Sequence, residues 1–223
     1  MRLPGFRSVF GTLSFTPQAT AASAGLAQGD TVPRMFWDGV KRRGDRVAIR
    51  QKDFGIWKPV TWTGLGEIVG EVAMGLVALG FEPGEVVSVL SNTNREWIYA
   101  DLGALSAGGV VNGIYPTDAA GQVEYLCSDS GSVYLFVEDD EQLDKALEVR
   151  ARLPRLRKII VFDMEGLREL SDPQVMSLED LRALGRRHAA EHPGMLRERI
   201  DCRGPKDLAI LVYTSGTTGR PKG

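Results

Sequence analysis

Apolar and polar residues follow two alternating patterns between residues 85 and 162. Short runs of consecutive apolar residues are separated by stretches in which apolar residues recur every three or four positions. The runs predict strands at Glu85–Leu90, Val110–Tyr115, Ser132–Val137 and Lys158–Phe162, and the stretches between them predict helices at Arg95–Ala107, Gly121–Asp129 and Glu141–Arg152. Because strands of this kind are apolar on both faces, we expect an α/β fold with a doubly wound, largely parallel sheet and flanking helices.

The region before residue 85 predicts a small β-hairpin followed by a helix. Two β-prone runs, Arg46–Arg50 and Ile56–Trp62, flank Asp53-Phe54-Gly55, which is typical of a hairpin turn. The helix is expected to have Thr63 as its N-cap and Gly80 just past its end. Its four internal glycines lower the helix propensity, so we expect it to depend on close packing against the sheet.

The last third of the chain predicts a helix, a connector and a strand. Ser177–Arg187 has helical spacing and a cap-like start at Ser177, whereas residues 188–206 are charged and broken by proline, as in a surface connector between subdomains. His188 and His192 lie in this connector without a Cys or Ser nucleophile nearby, and we do not expect either to be a catalytic base. The continuous apolar run Leu208–Tyr213 predicts a buried strand.

Composition excludes some classes of function. The 223 residues are 43% hydrophobic and 25% charged with a formal net charge of −2, which gives no electrostatic reason to expect nucleic acid. No apolar run is long enough for a transmembrane segment. Cys127 and Cys202 are the only cysteines, which argues for a reducing compartment, and hence a cytoplasmic protein, and against a disulfide scaffold or a zinc site.

The segment Thr214–Gly223, TSGTTGRPKG, has the chemistry of a phosphate-binding loop. Glycines let backbone amides approach a ligand, hydroxyls donate hydrogen bonds, and a lysine adds a positive charge. The residues expected to bind the phosphates are Thr214, Ser215, Gly216, Thr217, Thr218, Gly219 and Lys222. A Walker A loop is excluded, because counting from Gly216 places Pro221 where that motif needs glycine and Gly223 where it needs Ser or Thr.

The same ten residues resemble the signature of the adenylate-forming superfamily, which contains acyl-CoA synthetases, luciferases and peptide-synthetase adenylation domains. They fill its pattern, [ST]-[ST]-G-[ST]-[ST]-G-x-P-K-G, without a departure. The segments SVLSNTNREW (88–97), GGVVNGIYPT (108–117) and VEYLCSDSGSVYLFVED (123–139) are similar to the first subdomain of long-chain fatty-acid–CoA ligases. The resemblance covers roughly residues 31–223.

This resemblance implies an enzyme that joins a carboxylate to ATP as an acyl-adenylate and then transfers the acyl group to CoA. It implies ATP and Mg²⁺ as cofactors, CoA as co-substrate and a fatty acid as the small-molecule substrate, with Thr214 near the metal. It also implies a division into residues 30–200 as a first α/β subdomain and 201–223 as the start of a second one. The alternatives are another adenylate-forming enzyme, such as a peptide-synthetase adenylation domain, or a non-catalytic nucleotide- or partner-binding module.

The sequence departs from the family at its end. It stops at Gly223 within the signature, whereas the family continues with an acidic metal motif, adenine and ribose contacts, and a C-terminal domain bearing a catalytic lysine. The resemblance therefore implies an N-terminal fragment without catalytic residues of its own, and we expect it to be inactive alone. Residues 1–29 lack Asp and Glu and are expected to form a poorly ordered leader, with organelle targeting as the alternative.

Three other clusters each have two interpretations. Tyr115-Pro116-Thr117 either lies at a ligand-binding sheet edge or ends a strand and caps the next helix. The acidic residues 138–141 either hold a divalent metal or complement a helix N-terminus, and we favour the latter. The basic residues around Pro154 either contact a membrane surface or CoA phosphate, or form a solvated helix end, and we again favour the second interpretation.

Overall fold

The computed structural model describes residues 30–214 and 221–223, and the predicted leader at residues 1–29 lies outside this part. The helices are α1 (Val32–Arg43), α2 (Trp62–Ala78), α3 (Arg95–Ser106), α4 (Ala120–Ser130), α5 (Asp140–Val149), α6 (Leu178–Glu191) and α7 (Met195–Asp201), with one 3₁₀ turn at Arg150–Arg152. The strands are β1 (Val47–Asp53), β2 (Ile56–Thr61), β3 (Val86–Leu90), β4 (Val110–Ile114), β5 (Tyr134–Val137), β6 (Lys158–Val161), β7 (Val175–Ser177) and β8 (Ile210–Leu211).

Strands β3 to β8 form one six-stranded parallel sheet in the order β7-β6-β5-β3-β4-β8. One core cluster lies between the sheet and α1, α2, α3 and α6, and a second is formed with α4 and α5. Because helices cover both faces, β3, β5 and β6 are almost entirely buried. The predicted doubly wound α/β fold is confirmed.

The predicted hairpin is also confirmed, as the antiparallel pair β1–β2. Its turn consists of Phe54 and Gly55, which have φ angles of 44° and 83°, the positive values that a tight two-residue turn requires. The predicted cap of α2 was wrong by two residues. Strand β2 runs directly into the helix, so the hydroxyl of Thr61, rather than that of Thr63, accepts a hydrogen bond from the amide of Gly64 at 3.1 Å.

The predicted connector at residues 188–206 was wrong in part, because most of it is helical. Helix α6 continues to Glu191, and α7 forms after the break at Pro193 and Gly194. The charges did not prevent a helix because Arg197, Glu198 and Asp201 are exposed, while Ile200 is buried. The arrangement is typical of a short amphipathic helix on the surface of the core.

The strand predicted at Leu208–Tyr213 is neither long nor buried. Only Ile210 and Leu211 are in β8, and the exposed fractions of Leu208, Ile210 and Val212 are 53%, 48% and 63%. Strand β8 is the edge strand of the described sheet and pairs with β4 alone. Since β8 belongs to the same sheet as β3 to β7, the boundary at residue 200 between two subdomains stays a prediction.

Three of the four glycines of α2, Gly66, Gly70 and Gly75, face other helices. A Cβ added to Gly75 would lie 2.4 Å from the carbonyl oxygen of Leu181 in α6, and one added to Gly66 would lie 2.9 Å from Val40 in α1. Gly185 of α6 faces the backbone of α2 in return. Helix α2 packs on the sheet as predicted, and at these three glycines its close neighbours are other helices.

Asp101 in α3 gives a prediction about stability and pH. Burial raises the pKa of its carboxyl group from 3.8 to about 6, so the folded chain binds an additional proton between these values. Within this range the free energy of unfolding falls as pH rises. Replacing Asp101 by Asn removes the buried charge, and we expect a gain of about 1–3 kcal/mol at pH 7.

The measurement is urea unfolding of wild type and Asp101→Asn across this pH range. Below the unfolded-state pKa of 3.8 the advantage of the variant should vanish, because both side chains are then neutral. An advantage that is constant with pH would show that the carboxyl group is not the cause.

Candidate nucleotide and carboxylate site

An open cleft of about 210 Å³ lies at the carboxyl ends of β3, β4 and β8. Its lining is largely apolar and includes Trp97, Ile114, Tyr115 and Tyr213, with the hydroxyls of Ser91 and Thr93 as polar groups. Open α/β sheets bind ligands at this edge because loops and helix N-termini converge there. The fold therefore places a candidate binding cleft beside the start of the predicted phosphate loop.

The two ends of the predicted loop are held together by main-chain hydrogen bonds. The Thr214 amide donates to the Lys222 carbonyl at 3.1 Å, and the Lys222 amide donates to the Thr214 carbonyl at 3.2 Å. Both residues are exposed. The predicted contacts at Ser215, Gly216, Thr217, Thr218 and Gly219 lie outside the described residues. The bridge brings the first and last predicted phosphate ligands, Thr214 and Lys222, close together.

Two tyrosines fasten this bridge to α4. The Tyr125 hydroxyl donates to the Pro221 carbonyl at 2.7 Å, and the Tyr213 hydroxyl donates to an Asp129 carboxylate oxygen, also at 2.7 Å. The two rings meet edge to face with centroids 6.5 Å apart. Burial, followed by the hydrogen bond to Asp129, raises the pKa of Tyr213, which keeps the phenol protonated as a donor.

Sequence reasoning did not identify Tyr125, Asp129 or Tyr213 as site residues. Tyr125 and Pro221 are 96 positions apart, so no local pattern relates them. An available signal was that Tyr125 and Asp129 are four residues apart in one predicted helix and therefore share a face. Only the pairing of β8 with β4 brings the end of the chain to that face.

The importance of the Tyr125 anchor can be tested by Tyr125→Phe. The variant keeps the ring and loses the hydrogen bond to the Pro221 carbonyl, and we expect the free energy of unfolding to fall by about 0.5–1.5 kcal/mol. Urea denaturation measures the change. Tyr134→Phe is the comparator, because Tyr134 is fully buried and donates to the Leu79 carbonyl at 2.6 Å. This account would be contradicted if Tyr125→Phe lowered the free energy of unfolding by more than Tyr134→Phe does.

The structure places Tyr115-Pro116-Thr117 directly after β4, at the sheet edge predicted to bind ligands. Tyr115 lines the cleft and is 73% exposed, whereas the Pro116 carbonyl accepts a hydrogen bond from Lys145. The alternative in which Thr117 caps the next helix was wrong, because α4 begins after Ala119 and has no side-chain cap.

The acidic residues at 138–141 are occupied by structural interactions. The Glu138 carboxylate accepts hydrogen bonds from the Asn92 amide at 2.6 Å and from its side chain at 2.9 Å. Asp139 is the N-cap of α5, accepting from the Gln142 amide at 3.1 Å. The favoured interpretation, acids complementing a helix N-terminus, is therefore confirmed for Asp139.

The basic cluster is largely engaged in ion pairs. Arg150 pairs with Asp172, and Arg152 pairs with Glu124 at 2.7 Å. Arg157 pairs with Glu85. These contacts fit the interpretation as a solvated helix end with its flanking loop.

Neither cysteine has the environment of a nucleophile. Cys127 is buried within the core, and burial raises the pKa of its thiol to about 12, so the thiolate does not form near neutral pH. Cys202 is exposed and donates to the Arg199 carbonyl. In the part of the chain that the structure describes, no helix is both long and apolar enough to cross a membrane.

An open parallel sheet with a cleft at its carboxyl edge, followed in the chain by a Thr/Ser/Gly-rich segment, is typical of the nucleotide-binding class of α/β proteins. Comparison with known proteins then defines the family. The model of the AMP-binding enzymes matches residues 36–223, and the chain belongs to this family.

The similar curated proteins are long-chain-fatty-acid–CoA ligases. The chain is 30% identical over 193 residues to ACSBG1 of Homo sapiens, covering 86% of this chain and 26% of that protein. It is 32% identical over 198 residues to FadD15 of Mycobacterium tuberculosis, covering 89% of this chain and 31% of that one. The chain thus spans less than a third of the length of these relatives.

Solved structures support the fold. The anthranilate CoA ligase AuaEII, crystallised with anthranoyl-AMP, superposes with a TM-score of 0.69 at 22% identity, covering 90% of this chain and 35% of that one. The adenylation domain of a carboxylate reductase from Mycobacterium chelonae gives a TM-score of 0.64 at 21% identity, covering 86% and 33%. Both likenesses concern the α/β fold alone.

Proposed function

We propose that this chain supplies the phosphate-binding part of an enzyme that activates a carboxylate with ATP and transfers the acyl group to CoA. The observation that carries the proposal is the Thr214–Lys222 bridge, which closes the family signature at the carboxyl edge of the sheet. The bridge holds Thr214 and Lys222 side by side, and hydroxyls, backbone amides and a lysine are groups that bind a polyphosphate. The relatives' names support the transfer to CoA.

The contribution of these residues to the reaction would be electrostatic. Pyrophosphate leaves as the acyl-adenylate forms, and donors held in place around it stabilise the charge that develops. The hydroxyl of Thr214 is an oxygen ligand of the kind Mg²⁺ accepts, and it is exposed at the mouth of the loop. A bound Mg²⁺ there would offset phosphate charge.

We propose a long-chain fatty acid as the carboxylate. Two features support this choice: the curated relatives carry that substrate in their names, and the cleft beside Tyr213 is lined mainly by apolar side chains. Burial of an alkyl chain contributes about 0.8 kcal/mol per CH₂ group, so a cleft of this composition favours long chains over short ones. Aromatic acids are the competing class, since one structural neighbour binds anthranoyl-AMP.

The test is carboxylate-dependent exchange of pyrophosphate into ATP, run on the 223-residue chain and on any longer product of its reading frame. Long-chain, short-chain and aromatic acids are compared, with CoA thioester detected by mass spectrometry. We expect exchange with long-chain acids in a product that includes the rest of the family's domain, and none with residues 1–223 alone. Exchange by the 223-residue chain would contradict the second expectation, and exchange with aromatic acids alone would contradict the substrate.

A further inference from the structure

A histidine pair and a glutamate meet at the end of α6, which contributes no residue to the cleft at the carboxyl ends of β3, β4 and β8. His188, Glu191 and His192 each present a ligand atom, and these three atoms lie within 4.8 Å of one another. The imidazole rings have centroids 4.3 Å apart and are inclined by 51°. Among the described residues this is the sole group of three His, Cys, Asp or Glu side chains close enough to share one ion.

Helical geometry accounts for the convergence. Residues three and four positions apart lie on the same face of a helix, so His188 meets both Glu191 and His192 one turn further on. The continuation of α6 to Glu191 is therefore decisive, since in an irregular connector these side chains would have no fixed relation. We propose that this cluster binds one divalent transition-metal ion, represented by Zn²⁺, through two imidazole nitrogens and one carboxylate oxygen.

The donor set selects the class of metal. Two histidines with a glutamate are a known ligand set for zinc, with water completing the coordination, whereas Mg²⁺ and Ca²⁺ take oxygen ligands. Ligand bonds of about 2.0–2.2 Å place ligand atoms within roughly 4 Å of one another, so atoms that lie within 4.8 Å need only a small adjustment to bind one ion. Glu191 and His192 are exposed, so a change of side-chain rotamer can provide this movement. The presence of only two cysteines argues against a zinc site built from thiolates, but it does not exclude one built from imidazole ligands.

The cluster lies at the C-terminal end of α6, and this position favours the binding of a cation. The last carbonyls of a helix lack amide partners and form the negative end of its dipole. The backbone of His192 is held there by two hydrogen bonds, from its amide to the His188 carbonyl at 3.0 Å and from the Met195 amide to its carbonyl at 3.2 Å. The preceding turn is fixed by Gly185, which packs against the backbone of α2.

The neighbouring Arg186 forms its ion pairs with other carboxylates and not with Glu191. Arg186 is directed toward Glu179 and Glu71, with ion-pair distances of 2.9 Å and 3.2 Å. Within residues 30–214 and 221–223, no ion pair involves Glu191. Its charge is therefore available to a metal ion.

The experiment is a Zn²⁺ titration of the full 223-residue chain without an affinity tag, by calorimetry and by thermal melting. The chain has only two histidines, so few competing sites exist, and a Cys202→Ser background removes its exposed thiol. We expect one Zn²⁺ per chain and a melting temperature that rises with Zn²⁺ concentration, as ligand linkage requires. Mg²⁺ should produce neither effect.

The variants are His188→Ala, His192→Ala and Glu191→Gln, with Arg187→Ala as the matched control on the same helix. Loss of an outer-shell partner weakens metal binding by roughly 10–100-fold, so loss of a ligand should weaken Zn²⁺ binding by at least about tenfold. Arg187→Ala should bind as wild type does. Glu191→Gln preserves the size of the side chain and tests the site even if a histidine variant folds poorly. Undiminished Zn²⁺ binding by both His188→Ala and His192→Ala, or no binding by wild type, would overturn the proposal.

Discussion

Gly185→Ala should lower the free energy of unfolding strongly, because the added methyl group meets the backbone of α2. A Cβ at this position would lie 1.8 Å from the Glu71 carbonyl oxygen and 2.8 Å from the Gly75 amide nitrogen. Both are main-chain atoms in the middle of α2, so the contact can be relieved only by moving one helix away from the other. Overpacking typically costs 1–3 kcal/mol, and a clash with backbone belongs at the upper end, about 3 kcal/mol.

Thermal unfolding measures this effect. For a chain of this size, about 3 kcal/mol corresponds to a fall of roughly 6–12 °C in melting temperature. The matched control is Gly121→Ala in α4, where an added Cβ meets nothing within 4 Å. That change should be neutral or stabilising, because alanine is the better helix former. Equal melting temperatures for the two variants would show that α2 and α6 are not in close backbone contact.

In a product that includes the rest of the family's domain, Lys222→Ala should weaken ATP binding by roughly ten- to a hundredfold. The variant removes one charge from the proposed phosphate site, where a hydrogen bond to a charged group contributes about 1.5–3 kcal/mol. The fold should be almost unaffected, because the bridge to Thr214 uses only the backbone of Lys222 and its side chain is exposed. Exposed substitutions of this kind change stability by less than about 0.5 kcal/mol.

ATP affinity, by calorimetry or from the ATP dependence of the exchange reaction, is measured beside the melting temperature. Lys206→Ala is the matched control, since Lys206 is another exposed lysine in the same C-terminal region. It should change neither quantity. If Lys222→Ala leaves ATP binding unchanged and lowers the melting temperature markedly, the segment is structural and the proposed phosphate site is wrong.

The α/β alternation and the hairpin could be predicted from local patterns. Strands such as β5 are uniformly apolar because both faces are covered, and α2 ends at Ala78, two residues before Gly80, because Gly80 adopts a positive φ of 83°. The signature from Thr214 to Gly223 likewise indicated phosphate chemistry through its residue types. Each of these features depends on residues that are close together in the chain.

The errors share a physical cause. The run Leu208–Tyr213 is apolar, but its burial depends on which elements cover β8, and residues 188–206 are charged, but whether they form helices depends on the core that accepts Ile200. An apolar or charged pattern indicates which structures a segment can form, but it does not show which other segments will pack against it. The order of the strands in the sheet also depends on which segments pack together, so a local pattern does not show it.

The sequence by itself thus determined the class of fold and the family signature, because periodicity and turn chemistry are local. Tertiary structure decided that Tyr125 and Tyr213 hold the ends of the loop against α4, and that His188, Glu191 and His192 share one helical turn. These arrangements depend on contacts between distant segments or on where a helix ends. Both are set by the packing free energy of the whole chain, which no local pattern contains.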